Sequence, residues 1–380
     1  MQAKWLRQAR GQLWSWLARP PAIPGQTERI CSVDLARGIA VALMILSHSV
    51  IGMLSFDELP GYGQIPIHLI TKFSSSTFVM VFGIALAVAF LPRVGTKQWP
   101  RLRLKLLLSG VVVFFWYKVL TVAEMLYLFQ PADIVDTLLY RDFPSFVEIL
   151  GFYAFALMWV PFLLPLWRRT PLILRLLSPA ALALLGVWVA DNVTFWGSQQ
   201  LRAIFVEDDD YYVWGQLTRG PLVLLGLLIG EALLWCHGKL RWRLSLAGAL
   251  LLVSSLLFLS LWWLASPELA QALALIAANV GKHPPDLPFM LFSMAGAFLI
   301  IGLCVAGGPL LSKVLYPLTV IGSNALQAFI FHIVVIFVGF RYLMGYWQNV
   351  EYHFVLMLTL GLILATAVWI KLVEFVKVYR

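Results

Sequence analysis

Ionisable side chains inside long apolar runs are the first residues to read, because they are costly in hydrocarbon and mark functional sites by default. The densest group is residues 33–48, VDLARGIAVALMILSH. Arg37 and His48 are eleven residues apart. At about 3.6 residues per turn that is about three helical turns, so both fall on one face, roughly 16 Å apart along the axis. Asp34 lies one turn before Arg37 and can pair with it. One helix then carries a guanidinium suited to anions and, deeper, an imidazole suited to proton transfer near neutral pH. A histidine bonded between helices is the structural alternative for His48.

Other intramembrane candidates follow. His332 either faces the same cavity or ties two helices together. Lys72 and Lys118 are acceptor contacts or snorkelling side chains, with Glu124 a partner for Lys118. Glu231 calls for an interhelical partner. Glu148 and Asp191 sit at span ends, where solvated charge is expected. Ser75, Ser76, Thr77, Asn324 and Gln327 are candidate donors to an oxyanion or polar contacts between helices. His68, His283 and His353 lie toward the outer boundary without metal-ligand spacing, there is no HExxH, and none of the three cysteines has CxxC spacing. No metal and no disulfide framework is expected.

The elements that position these residues follow from composition. Of 380 residues, 61% are hydrophobic and only 12% charged, against about 25% charged in soluble domains. Apolar stretches of spanning length recur near 33–55, 67–92, 104–127, 145–167, 172–191, 219–237, 244–265, 287–307, 316–340 and 353–373. The expected fold is all-α, a polytopic membrane helix bundle of about ten spans.

The net charge of +9 could suggest nucleic acid, but its distribution excludes that reading. With the N-terminus cytoplasmic, 19 of the 28 basic residues fall on one side and 5 (Arg141, Arg202, Arg219, Lys282, Arg341) on the other. This positive-inside pattern puts both termini in the cytoplasm and the basic excess against anionic lipid. Residues 1–28 read as a basic, Trp-rich amphipathic segment on the cytoplasmic surface, and residues 29–380 as the transmembrane domain. The outer connections 128–144, 192–218 and 266–286 are acidic and aromatic. They suit a polar sugar, or are simply solvated loops.

The Arg-x10-His run resembles the acyltransferase-three family of membrane acyltransferases. Further segments are similar in the same order: Ser74–Leu86, Phe-rich and closing on Gly83; the basic turn Trp99–Lys105; and Ile321–His332. The stretch Pro144–Ala154 looks like the branch that succinylates periplasmic glucans. The family's cytoplasmic Arg-x-x-Arg is absent; Arg101, Arg103 and Lys105 alternate in its place. The glucan branch's Asn-Pro and Trp-Gln segment is not evident near 195–220.

The resemblance implies an O-acyltransferase of the bacterial inner membrane, moving an acetyl or succinyl group from cytoplasmic acyl-CoA to a hydroxyl of an extracytoplasmic glycan. His48 and Arg37 would be catalytic. Arg37, Arg101, Arg103 and Lys105 would hold the donor. Asp34, Lys72, Ser76, Lys118, Asn324 and His332 would meet substrate. An acyl-His48 intermediate is a variant of direct transfer. The rival reading is a proton-coupled transporter or flippase, for which inverted repeats and interrupted helices are the expected signs.

Overall fold

The computed structural model describes residues 17–24, 29–55, 65–211 and 213–378. Most of the amphipathic N-terminal segment lies outside the described residues. Among the described residues, ten helices are long and apolar enough to cross a membrane. In chain order the helices are α1 Cys31–Met53, α2 Ile65–Thr71, α3 Phe73–Phe90, α4 Trp99–Met125, α5 Pro131–Leu138, α6 Glu148–Arg169, α7 Leu172–Asn192, α8 Gln199–Val206, α9 Gln216–Cys236, α10 Leu240–Ala265, α11 Leu269–Ala277, α12 Leu287–Val314, α13 Tyr316–Ser323, α14 Ala325–Ile333 and α15 Tyr352–Val378. The short helices α2, α5, α8 and α11 all lie in connections on one face of the bundle. The connections of the other face carry the basic excess, and it is called the basic face below.

The helix with the Arg37–His48 pair is central. It packs against α3, α12, α13 and α15. The contact with α13 is close enough to require glycine on both sides. A Cβ at Gly38 would strike the Leu318 carbonyl, and one at Gly322 would strike the Asp34 carbonyl. Burial separates the inner from the lipid-facing helices: 72% of the most apolar window of the second span is buried, against 17% for the span formed by α7. Side chains such as Leu184, Val187 and Trp188 on α7 are exposed, as a hydrocarbon-facing surface requires.

Two spans differ from the continuous helices that hydropathy predicts. The eighth runs on to Val314 but breaks at Gly308 (φ 53°), just before Pro309. The ninth, expected over 316–340, divides at Asn324 (φ −141°, ψ 61°) into α13 and α14. It then winds wider, as a π-helix, over Val334–Leu343. Asn324 has a short polar side chain of the kind that competes with helical backbone bonds, and window-averaged hydropathy does not register a single such residue. An interrupted helix buried among others exposes backbone polar groups that suit a cavity rather than lipid.

Candidate functional site

The route toward His48 begins on the basic face. A groove of about 960 Å³ is lined by Lys97, Arg101 and Lys105 together with Leu108, Val113 and Leu326. Arg101 and Lys105 are four residues apart on α4 and stack on one face, and Lys97 joins them from the turn before the helix. Arg103 is off that face: its guanidinium lies 5.9 Å from the centre of the Phe162 ring. Of the expected donor residues, Arg101 and Lys105 line the groove together with Lys97, and Arg103 is not among its lining residues.

Val113 and Leu326 also wall a second chamber of about 280 Å³, lined by Arg37, Tyr153, Ser323, Asn324 and Phe329. Here the interrupted span supplies the first residues of α14. The glycine crossing brings the Gly322 carbonyl to Arg37, whose Nη1 donates to it at 3.1 Å. Asp34 lies 3.7 Å from Arg37 but accepts a closer bond from Arg29 Nε, at 2.5 Å. Its charge is thus shared between two guanidiniums, and Arg37 retains attraction for a further anion or carbonyl. Asp34 itself faces the Arg29 side and is a positioning partner. The Tyr153 hydroxyl is buried with no hydrogen-bond partner among the described residues.

Phe329 lines this chamber, and its ring meets the His48 imidazole edge-on, 6.3 Å between centres. His48 is buried, and its Nδ1 lies 3.2 Å from His332 Nε2. The other nitrogen of His332, Nδ1, lies 2.9 Å from the Ala328 carbonyl oxygen. A carbonyl only accepts, so His332 Nδ1 carries the proton. In the neutral ring Nε2 then holds the lone pair and accepts from His48 Nδ1–H. The same logic leaves His48 Nε2 as a proton acceptor. His332 thus ties α14 to α1 and fixes the tautomer of His48; it is not among the residues that line the Arg37 chamber or the polar cavity beyond His48.

Beyond His48 lies a small polar cavity of about 40 Å³, walled by Ser47, His48, Lys72, Ser74, Ser75, Phe146, Glu148, Trp214, Asn279 and Lys282 among others. Lys72, at the joint of α2 and α3, donates from Nζ to Asn279 Oδ1 at 2.6 Å. Glu148 accepts from Trp214 Nε1 at 3.2 Å, while its Oε2 is buried without a partner among the described residues. The expectation of a solvated Glu148 is corrected: the tertiary fold buries it against Trp214, and only 5% of Glu148 is exposed. Asp191 is exposed, as a span end suggests.

The wall containing Lys282 is held by a buried charge cluster. Arg219 donates from Nε to Glu207 Oε1 at 2.8 Å and from Nη2 to the Lys282 carbonyl at 2.6 Å. His283 Nδ1 lies 2.9 Å from Glu207 Oε2 and 3.1 Å from the Val213 carbonyl. Burial alone would raise the Glu207 carboxyl, but Arg219 and His283 hold it below the usual carboxylate range. Burial dominates at His283 and lowers it to about 4, with Glu207 opposing in part. The acidic run 207–210 is therefore divided: Glu207 and Asp208 are buried ion-pair partners, while Asp209 and Asp210 are exposed.

Several expected site residues lie elsewhere. Ser76 bonds Ser293 at 2.7 Å, tying α3 to α12, and Thr77 donates to the Phe73 carbonyl. Lys118 donates to the Thr137 carbonyl at 3.2 Å and sits 3.5 Å above the Tyr140 ring. Glu124 does not pair with Lys118; its carboxylate accepts from the amides of Ser145, Phe146 and Val147. Glu231 finds its interhelical partners in Arg175, at 2.6 Å, and Trp167. Conversely, Lys97, Tyr153, Ser74, Trp214 and Asn279 were not singled out from the sequence. Lys97 stands in a turn before α4, and all five are joined to the site by the tertiary fold.

A family model described as an acyltransferase domain matches residues 31–373. A comparison with curated proteins finds no match.

Proposed function

The chain belongs to the acyltransferase-3 family, and from that premise we propose that it passes an acyl group from acyl-CoA, bound at the basic face, to a hydroxyl of a glycan arriving from the opposite face. The basic face is assigned to the cytoplasm on its charge. The observation that carries the reading is the hydrogen-bond chain Ala328–His332–His48, which leaves His48 Nε2 an acceptor at the wall of the small polar cavity, with Phe329 between its ring and the Arg37 chamber.

The donor's phosphates suit Lys97, Arg101 and Lys105, whose charges are the affinity term for such a group. Its amide-bearing arm would run through the second chamber, where Arg37 and the Tyr153 hydroxyl meet carbonyl oxygens, and pass Phe329 to bring the thioester beside His48. The acceptor hydroxyl gives its proton to His48 Nε2 as its oxygen attacks the thioester carbon. The imidazolium so formed is stabilised through Nδ1–H by His332. The tetrahedral oxyanion requires donors, and the cavity wall holds the hydroxyls of Ser47, Thr71, Ser74 and Ser75. As the carbon–sulfur bond breaks, His48 returns the proton to the departing thiolate. The products are the acyl ester and free CoA.

The test is acyl transfer by purified protein offered several acyl-CoAs and several glycans, with His48→Ala as the control. Transfer by the wild type and none by a folded His48→Ala supports the reading. Undiminished transfer by His48→Ala sinks the base assignment. Movement of substrate across a membrane with no thioester consumed would make the chain a carrier.

A further inference from the structure

Lys72 is one of the charged groups in the cavity wall, with Glu148 and Lys282, that the proposed chemistry leaves unused. Its ammonium is buried, 5% exposed, and its one hydrogen-bond partner among the described residues is the neutral amide oxygen of Asn279. No carboxylate among the described residues forms an ion pair with it. Every other deeply buried cation treated above has an anionic or multiple-carbonyl partner: Arg175 has Glu231, Arg219 has Glu207, and Arg341 has the carbonyls of Ala123, Glu124 and Leu126. A buried ammonium without a counter-ion is strongly disfavoured, and Nζ retains two further donors after the Asn279 bond. Lys72 also lines the same cavity as His48, so the missing anion can be supplied by a substrate.

Size and surroundings narrow the ligand. The cavity, about 40 Å³, has room for a carboxylate-sized group or a few waters, and not for a sugar ring. Ser74 adds a hydroxyl to the same wall, and Lys282 stands in it as a second cation beside the Glu148 carboxylate; the hydroxyls of Thr71 and Ser75 donate to the His68 and Lys72 carbonyls. We propose that the cavity beyond His48 is a carboxylate subsite, with Lys72 as its cation. The inference rests on the acyltransferase reading for the identity of the substrate that brings the carboxylate. Two sources share this chemistry: the free end of a dicarboxylic acyl chain whose thioester lies at His48, and an acidic substituent of the acceptor.

The experiment compares succinyl-CoA with butyryl-CoA, which has the same chain length and an uncharged end, and a uronic-acid-containing glycan with a neutral one. Both turnover and equilibrium binding are measured for the wild type, Lys72→Met, Lys72→Arg and Asn279→Asp. Lys72→Met removes a buried charge and keeps the length of the stem. Asn279→Asp gives Lys72 an internal counter-ion at the position its amide partner now holds. The wild type is expected to prefer the carboxylate-bearing member of one pair. That preference should fall by on the order of tenfold to a hundredfold in Lys72→Met and in Asn279→Asp, and survive in Lys72→Arg. Loss of a donor preference assigns the carboxylate to the acyl chain; loss of an acceptor preference assigns it to the glycan. Unchanged ratios in both pairs overturn the proposal. If no thioester is consumed with any donor, the acyltransferase reading fails, while the binding ratios still decide the role of Lys72.

Discussion

Substituting His332 by alanine tests the hydrogen-bond chain at the centre of the site. In the resting protein the bond from His48 Nδ1–H to His332 Nε2, 3.2 Å long, joins two neutral groups and is worth about 0.5–1.5 kcal/mol. Once His48 has taken the acceptor's proton, the same bond leaves a charged donor and is worth about 1.5–3 kcal/mol. The difference, about 1–2 kcal/mol, is gained only as the reaction proceeds, and it corresponds to roughly five- to thirtyfold in rate. Loss of the tautomer lock adds a further factor, since part of the population would then present Nε2–H to the acceptor. His332→Ala is therefore expected to lower kcat by about ten- to a hundredfold with the donor KM little changed, the pattern of an interaction made in the transition state. His332→Gln places an amide where the imidazole Nε2 stands and should recover most of the rate. Single-turnover acyl transfer, measured with saturating acyl-CoA, reads the effect without product release. Wild-type kcat in His332→Ala, or a His332→Gln variant as slow as His332→Ala, would refute the tautomer argument.

On the basic face, Lys97→Ala and Arg101→Ala should each raise the KM for acyl-CoA by up to about tenfold, more at low salt, and Arg103→Ala should leave it unchanged; initial rates against donor concentration decide this. Arg175 is fully buried against Glu231, so Arg175→Met should destabilise the protein by about 3–5 kcal/mol, and Arg175→Met with Glu231→Gln should recover much of that loss, as read by thermal unfolding in detergent. Acidification should loosen the wall carrying Lys282. His283, lowered from 6.5 to about 4, stays neutral in the fold while the unfolded chain takes up a proton. Its contribution is complete above about pH 6.5 and declines as pH falls toward about 4. Hydrogen exchange over residues 266–286 should rise across that window, and His283→Gln should flatten the rise.

The Arg37–His48 face was legible because both residues belong to one regular helix, where spacing alone fixes the relation between side chains. The ten spans were legible for a similar reason, since each is a long apolar run. What could not be read was brought together by packing. His48 and His332 are 284 residues apart in sequence, and Lys72 and Asn279 are 207 apart. Glu148 was assigned to water because it ends a span, and the tertiary fold buries it against Trp214 in the wall of the His48 cavity. The break at Asn324 lies inside a run whose average hydropathy is that of a continuous helix. Even so, this break forms the chamber around Arg37.

The central claim is that one histidine serves substrates arriving from opposite faces. The most direct measurement seals the protein in vesicles, supplies acyl-CoA on the basic-face side alone and the glycan on the other side alone, and follows acylation of the glycan. The account predicts ester formed across the sealed membrane by the wild type and none by His48→Ala inserted to the same level. Acylation at an undiminished rate by His48→Ala, or acylation only when donor and glycan share one side, would contradict it.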